Sequence, residues 1–92
     1  MIVSFKHRGL KRFYEARDRS GINPNHAERI KLILYDLEAA DSIEYIRRPG
    51  YRLHALKGRL VGYYAIDVSG NWRITFQMNS DKVCDIDLID YH

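Results

Sequence analysis

The chain has 92 residues, with 15 Lys plus Arg against 12 Asp plus Glu, one cysteine and 46% apolar residues. That is enough for one compact domain spanning residues 1–92, with a radius of gyration of roughly 12 Å, and too little for two. The lone Cys84 makes no internal disulfide and no run approaches ~18 apolar residues, which excludes a disulfide-stapled or membrane-spanning chain; a cytoplasmic domain without an export signal is expected.

In chain order, Ile2 to Phe5 is a short β-prone segment. Leu10, Phe13 and Tyr14 recur at i, i+3, i+4 among cations, which predicts a short amphipathic helix broken by Ser20-Gly21. Asn23 followed by Pro24 reads as an N-cap with proline at the first helical position. Ala27, Ile30, Ile33, Leu34, Leu37 and Ala40 then form the apolar stripe of a second helix. Asp41-Ser42 can cap a further helical turn through Ile46, and Pro49-Gly50 ends it.

From residue 51 the period becomes two. Tyr51 to Leu56 is a short strand, Val61 to Val68 is the next, and Ser69-Gly70 is a tight hairpin turn. The following strand puts Trp72, Ile74, Phe76 and Met78 on one face and Asn71, Arg73, Thr75 and Gln77 on the other. After the Asn79-Ser80-Asp81 turn, Lys82 to Ile89 is the last strand, with Cys84, Ile86 and Leu88 sharing a face. The order β-α-α-β-β-β-β predicts an α+β domain, a small antiparallel sheet with two main helices packed on one face. Trp72, Ile74 and Phe76 are expected to meet the helix stripe, leaving Arg73, Tyr63 and Asp67 on the open face.

Charge is unevenly placed. Residues 1–60 hold 13 Lys/Arg against 7 Asp/Glu, whereas residues 61–92 hold 2 against 5. Arg47, Arg48, Arg52, Lys57 and Arg59 form a run with His54 and no acid, and Lys6, Arg8, Lys11 and Arg12 lead a second cluster. One-sided charge of this kind points to a polyanion or an acidic partner. There is no CxxC pair, HExxH or phosphate-loop motif. A zinc site from His54, Asp90 and His92 lacks a fourth ligand and would sit among cations, so no metal or cofactor is expected.

His54 lies opposite Leu53 in its strand and so on the polar face, where it is either an exposed strand histidine or a chemical group. Arg73 in mid-strand needs a carboxylate, Asp67 or Asp87, or else a phosphate that its fork matches. The chain ends in Asp90-Tyr91-His92, in which Asp90 and His92 project together if extended. Two imidazoles, an ammonium (Lys57), a guanidinium, a phenol and a carboxylate are the inventory for metal-free RNA cleavage. A base takes the ribose 2′-OH proton, cations hold the phosphate oxygens, and an acid protonates the leaving 5′-oxygen.

At this point the sequence resembles a known family. Phe5-Lys6-His7-Arg8-Gly9-Leu10-Lys11, Arg52-Leu53-His54-Ala55-Leu56-Lys57-Gly58, Gly70-Asn71-Trp72-Arg73-Ile74-Thr75-Phe76 and the terminal Asp90-Tyr91-His92 are similar to the HigB toxins of the RelE superfamily. The resemblance covers the whole chain. It implies a ribosome-dependent mRNA endoribonuclease that cuts translated messages at the decoding site. It also implies a helix-turn-helix, HigA-like antitoxin, with which a toxin2–antitoxin2 assembly would bind operator DNA. By position His54, Asp90, Tyr91 and His92 match the family's active-site residues, and Lys57 and Arg73 its basic contributors. Arg47, Arg48, Arg52, Arg59, Lys6, Arg8, Lys11 and Arg12 are the candidate RNA and ribosome contacts. Ala55 stands where the family usually has proline, and Arg59 where an acid commonly follows Lys-Gly.

Two other readings use the same features. A ParE-type toxin of the same fold binds gyrase without cutting RNA, and it needs neither His54 nor a terminal histidine. A non-catalytic RNA-binding module would display its aromatics as stacking platforms, whereas Trp72 and Phe76 fall on the expected core stripe.

Overall fold

Helices and strands form where the periodicity of the sequence changes. The structure, a computed structural model, describes residues 1–91. Helix α1 is Arg8–Ala16 and helix α2 is Ala27–Ala39; the strands are β1, His54–Ala55, β2, Tyr63–Ser69, β3, Trp72–Asn79, and β4, Lys82–Asp90. Single 3₁₀ turns lie at Pro24–His26, Ile43–Ile46 and Gly58–Leu60. The sheet is antiparallel in the order β1-β2-β3-β4. The N-terminal segment reaches β4 through two parallel bridges, Ile2 to Val83 and Phe5 to Ile86. The α+β architecture expected from the pattern is the one observed.

His7 caps α1, its Nδ1 accepting the Leu10 N–H at 3.0 Å, and Arg17 closes the helix in the left-handed region at φ 57°. Asn23 caps the Pro24–His26 turn, its side chain accepting from Asn25 N–H. The α2 stripe is buried as predicted: Ala27, Ile30, Ile33, Leu34, Leu37 and Ala40 all lie in the core, with Leu10 and Phe13 of α1. They pack on Ile66, Ile74, Phe76, Val83 and Ile86 from one face of the sheet. Each fully buried aliphatic or aromatic side chain contributes roughly 1.5–3 kcal/mol. Where α1 approaches the loop before α2, two glycines touch. A Cβ on Gly9 would lie 2.4 Å from the Gly21 carbonyl oxygen.

Four details differ from the sequence pattern. The predicted Tyr51–Leu56 strand pairs only at His54–Ala55, because Arg52 turns left-handed at φ 49° and takes the backbone off the ladder. The turn through Ile46 is 3₁₀. Cys84 does not share a face with Ile86 and Leu88. Thr75 pairs with Asp87 but Gln77 with Cys84, and Asp85 adopts φ 56°. This bulge inverts the side-chain alternation, so Val83 joins Ile86 in the core and Cys84 turns to the open face. Finally, Trp72 is 37% exposed. It begins β3 near the start of α2, where its ring meets that of His26, with centroids 6.1 Å apart. The core stripe of β3 therefore starts at Ile74.

Candidate active site

The sheet face away from the helices carries the candidate groups, and the strand register sets their spacing. One row across the sheet reads His54, Ala65, Thr75, Asp87. The next reads Asp67, Arg73, Ile89. Ala65 and Thr75 are small and buried, so the row dips between His54 and Asp87 and the face is shallowly recessed. His54 on β1 and the end of β4 are separated by three strand spacings, about 14 Å. Groups on those two strands are too far apart to be hydrogen-bonded to each other directly among the described residues.

His54 is exposed, and its Nδ1 lies 2.8 Å from the Arg52 carbonyl oxygen. A carbonyl only accepts, so Nδ1 carries the proton and the neutral ring keeps its lone pair on Nε2. The left-handed conformation of Arg52, costly for a residue with a Cβ by about 1–2 kcal/mol, is what aims that carbonyl at the ring. Lys57 is exposed just beyond β1, at the start of the Gly58–Leu60 turn with Arg59.

Arg73 meets a carboxylate. Its Nε is 2.7 Å from Asp67 Oδ1, and both side chains are only 18% exposed. Its Nη1 donates to the Gly70 carbonyl at 2.7 Å. Arg52 Nε lies 3.3 Å from the other oxygen of Asp67. Of the two carboxylates the sequence offered to Arg73, the cross-strand neighbour Asp67 is the one that the register brings opposite it.

At the third row Lys6 lies over the Tyr63 ring, 4.8 Å from its centroid. Hydrogen bonding with the Tyr63 phenol, aided by the charges of Asp85 and Asp87, holds the Lys6 pKa above its ordinary value. Tyr63 donates to Asp85 Oδ2 at 3.5 Å. Lys6 thus belongs to the open face, whereas the rest of its cluster does not follow it. Arg12 pairs with Asp18, Arg8 is exposed in the first turn of α1, and Lys11 stands beside Tyr14 and Glu15 on the helical side. Arg47 pairs with Glu44. Arg48 lies over Tyr45 and reaches the buried Asp36 at 3.6 Å. Arg12, Arg47 and Arg48 thus have acidic partners on the helical layer.

The C-terminal tail divides. Asp90 pairs across from Trp72, on the side of β4 away from Arg73. Tyr91 is exposed and donates its N–H to the Asn71 carbonyl at 2.7 Å, which ties the tail to the β2–β3 turn. His92, and with it the expected joint projection of Asp90 and His92, lies outside the described residues. Among the described residues no three His, Cys, Asp or Glu side chains stand close enough to hold a metal ion.

Sequence reasoning missed the group that fixes this face from behind. Arg29 of α2 donates through Nε and Nη2 to the Asp67 carbonyl, at 3.2 and 2.9 Å, and through Nη2 to the Gly50 carbonyl at 2.6 Å. Its guanidinium stacks 5.0 Å from the Tyr51 ring centroid. Tyr51 is buried and donates its hydroxyl to the buried Asp36, and its carbonyl accepts the Asp67 N–H at 2.9 Å. Burial, followed by the Asp36 hydrogen bond, pushes the Tyr51 pKa well above the ordinary phenol value. The available signal was an acid, Asp36, three residues from Ile33 on the edge of an apolar stripe. A groove of about 590 Å³ lies elsewhere, between α1 and α2 and lined by Phe13, Tyr14, Arg17, Lys31, Leu34 and Tyr35. The candidate site is an open face.

Comparison with known proteins finds a family, two relatives and two similar structures. Residues 3–92 match the family described as the RelE-like toxin of type II toxin–antitoxin system HigB. The chain is 41% identical over 92 residues, all of both chains, to a Proteus vulgaris protein named endoribonuclease HigB. It is 35% identical to toxin HigB-1 of Vibrio cholerae serotype O1 over 80 residues, 84% of this chain and 83% of that one. Its fold is similar to that of the YoeB–YefM complex from Staphylococcus aureus, at TM-score 0.59 and 18% identity, over 100% of this chain and 95% of that one. It is also similar to YafQ of Escherichia coli BL21(DE3), at TM-score 0.57 and 12% identity, over 96% and 89%.

Proposed function

Because the chain belongs to the HigB-like, RelE-related toxins of type II toxin–antitoxin systems, we propose that it is an endoribonuclease that cuts mRNA on the translating ribosome. The observation that carries this reading is His54: an exposed imidazole whose Nδ1 proton is committed to a carbonyl, with Nε2 left basic, beside arginines that can meet a phosphate. His54 takes the proton of the ribose 2′-OH. The 2′-oxygen attacks phosphorus, the bond to the 5′-oxygen breaks, and the leaving oxygen is protonated from the tail, by His92 or Tyr91. Asp90 orients the tail. Arg73 and Lys57 stabilise the charge that builds on the nonbridging oxygens. The products carry a 2′,3′-cyclic phosphate and a 5′-hydroxyl.

Each positioned acid or base is worth about 10²–10⁴ in rate, and the rest must come from holding the RNA in line. A shallow, open sheet face supplies little of that, which favours a substrate already held by the ribosome. Arg52, Arg59 and Lys6 lie on or beside the face as RNA contacts. Arg8, Lys11, Arg12, Arg47 and Arg48, on the helical layer, would reach ribosomal RNA. The partner that silences the toxin is its antitoxin, here a helix-turn-helix protein encoded beside it that joins a toxin2–antitoxin2 assembly on operator DNA.

Primer-extension mapping of cellular mRNA after induction tests the reading. Cuts within translated frames are expected, absent when translation initiation is blocked. DNA damage without cuts would instead indicate a gyrase poison, and efficient degradation of naked RNA would overturn the ribosome dependence. The exposure of Trp72 removes one sequence argument against a pure RNA-binding module, and the same assay, showing neither outcome, identifies it.

A further inference from the structure

Asp67 touches two guanidiniums at once, yet the closer pair is not a good hydrogen bond. Arg73 Nε and Asp67 Oδ1 are 2.7 Å apart, but the N–H is not aimed at the oxygen. Both atoms are buried without a hydrogen-bond partner among the described residues. A pair kept only for stability would close into a bidentate fork. Here Nη1 is instead turned back to the Gly70 and Trp72 carbonyls, at 2.7 and 3.2 Å. A buried ion pair in poor geometry is a weak source of stability, and an unsatisfied buried polar pair asks for another role.

The second pair differs. Arg52 sits 3.3 Å from Oδ2 with 80% of its side chain exposed, so solvent weakens that contact and Arg52 can leave it. The backbone of Asp67 is pinned on both sides. Its N–H is held by the Tyr51 carbonyl and its own carbonyl by Arg29 from α2. The carboxylate thus projects from a pinned backbone between Arg73, 18% exposed, and Arg52, 80% exposed, on the face where a phosphate would lie.

We propose that Asp67 is the positioning residue of the cleavage reaction. It holds Arg73 turned so that the remaining edge of its fork, Nη2, meets the scissile phosphate, and it releases Arg52 to the same phosphate when RNA arrives. This rests on the mRNA-cleavage reading above. It assigns to Asp67 a role that charge counting would oppose, since an acid on an RNA-binding face should only weaken binding.

The test is Asp67→Asn in the full chain, assayed on ribosomes programmed with mRNA. Binding is measured with an mRNA carrying a 2′-deoxy sugar at the cut position, and cleavage by single turnover. Binding is expected to stay equal or tighten, because the face gains one net positive charge, while the cleavage constant falls about 100-fold. Asp67→Glu, which restores the charge, should recover part of that loss. In an Arg73→Ala background Asp67→Asn should change cleavage less than threefold, since the two act as a unit. Cleavage by Asp67→Asn at the wild-type rate, or an equal loss in both backgrounds, overturns the proposal.

A readout independent of activity separates this from the functional reading. The ¹⁵N–¹H signal of Arg73 Nε should be displaced from the free-arginine position by the adjacent carboxylate in the wild type and should move back toward it in Asp67→Asn. Wild-type protein that cuts no mRNA defeats the mRNA reading, and an unchanged Arg73 signal defeats the positioning claim.

Discussion

Tyr51→Phe isolates the buried anchor behind the active face with the loss of one oxygen atom. Tyr51 is 4% and Asp36 5% exposed, so the Asp36 carboxylate that loses the phenolic donor cannot turn to bulk water. Arg48 Nη1 lies 3.6 Å from the same Oδ2, a distance that is no replacement hydrogen bond. A hydrogen bond to a charged group contributes about 1.5–3 kcal/mol, and an orphaned buried acceptor adds its desolvation cost, so a loss of about 2–3 kcal/mol is expected. For a domain of this size each kcal/mol moves the melting temperature by about 4–8 °C, which gives a drop of roughly 8–24 °C by calorimetry at pH 7. The ring, its stacking on Arg29 and the backbone bond to Asp67 survive, so cleavage well below the new melting temperature should stay within a few-fold of wild type. Removing both partners, Tyr51→Phe with Asp36→Leu, should recover most of the stability. A drop under 3 °C for Tyr51→Phe alone would refute the claim that Asp36 depends on this donor.

His54→Ala should lower mRNA cleavage about 10²- to 10⁴-fold with an unchanged melting curve, because the ring is exposed and packs on nothing in the core; a toxic His54→Ala variant counts against its role as base. Gly9→Ala should destabilise by about 1–3 kcal/mol in urea unfolding, because the new methyl meets backbone at Gly21 rather than a movable side chain. Glu38 accepts from the Tyr14 hydroxyl at 2.6 Å and from Ile2 N–H at 3.1 Å, and these bonds lower its pKa below 4.5. A depressed folded-state pKa contributes stability that is present above the unfolded value and lost as pH falls through the folded one. Unfolding measured from pH 6 to pH 2 should therefore show Glu38→Gln less stable than wild type near neutrality and equal to it at the acid end. A constant gap across that range would contradict the linkage. The Tyr14 phenol, whose pKa burial and Glu38 push up to about 12, stays protonated throughout.

Much of the fold was legible because burial and periodicity report the same thing here. The α2 stripe from Ala27 to Ala40 and the alternation of Ile74 and Phe76 each occur in an element whose period is regular, so counting residues gave the buried face. The errors fall where the backbone leaves its period. Asp85 at positive φ adds a residue to β4 and reverses Cys84 and Val83, and Arg52 at positive φ shortens β1 to two residues. Neither is a glycine, so the sequence carries no mark of the turn. Trp72 failed for a different reason. It sits in the right phase, but the helical layer ends before it, and the length of one layer over another is not written in either segment.

For the candidate site, the residue types and their faces came from the sequence: His54 on the polar face and Arg73 facing away from the core, though at the start of β3 and not in mid-strand. Alternation of side chains is a local property and needs no partner strand to be read. The tertiary structure decided what those groups meet. Register put Asp67 rather than Asp87 against Arg73, and α2 supplied Arg29 from 38 positions away to hold the Asp67 carbonyl. It also drew Arg47, Arg48 and Arg12 into ion pairs with acids of the helical layer, so the cationic run around His54 contributes fewer charges to the face than its count suggests. Composition sets how much charge a chain carries, but a guanidinium's partner is chosen across space, by whichever carboxylate the packing of two layers leaves within reach.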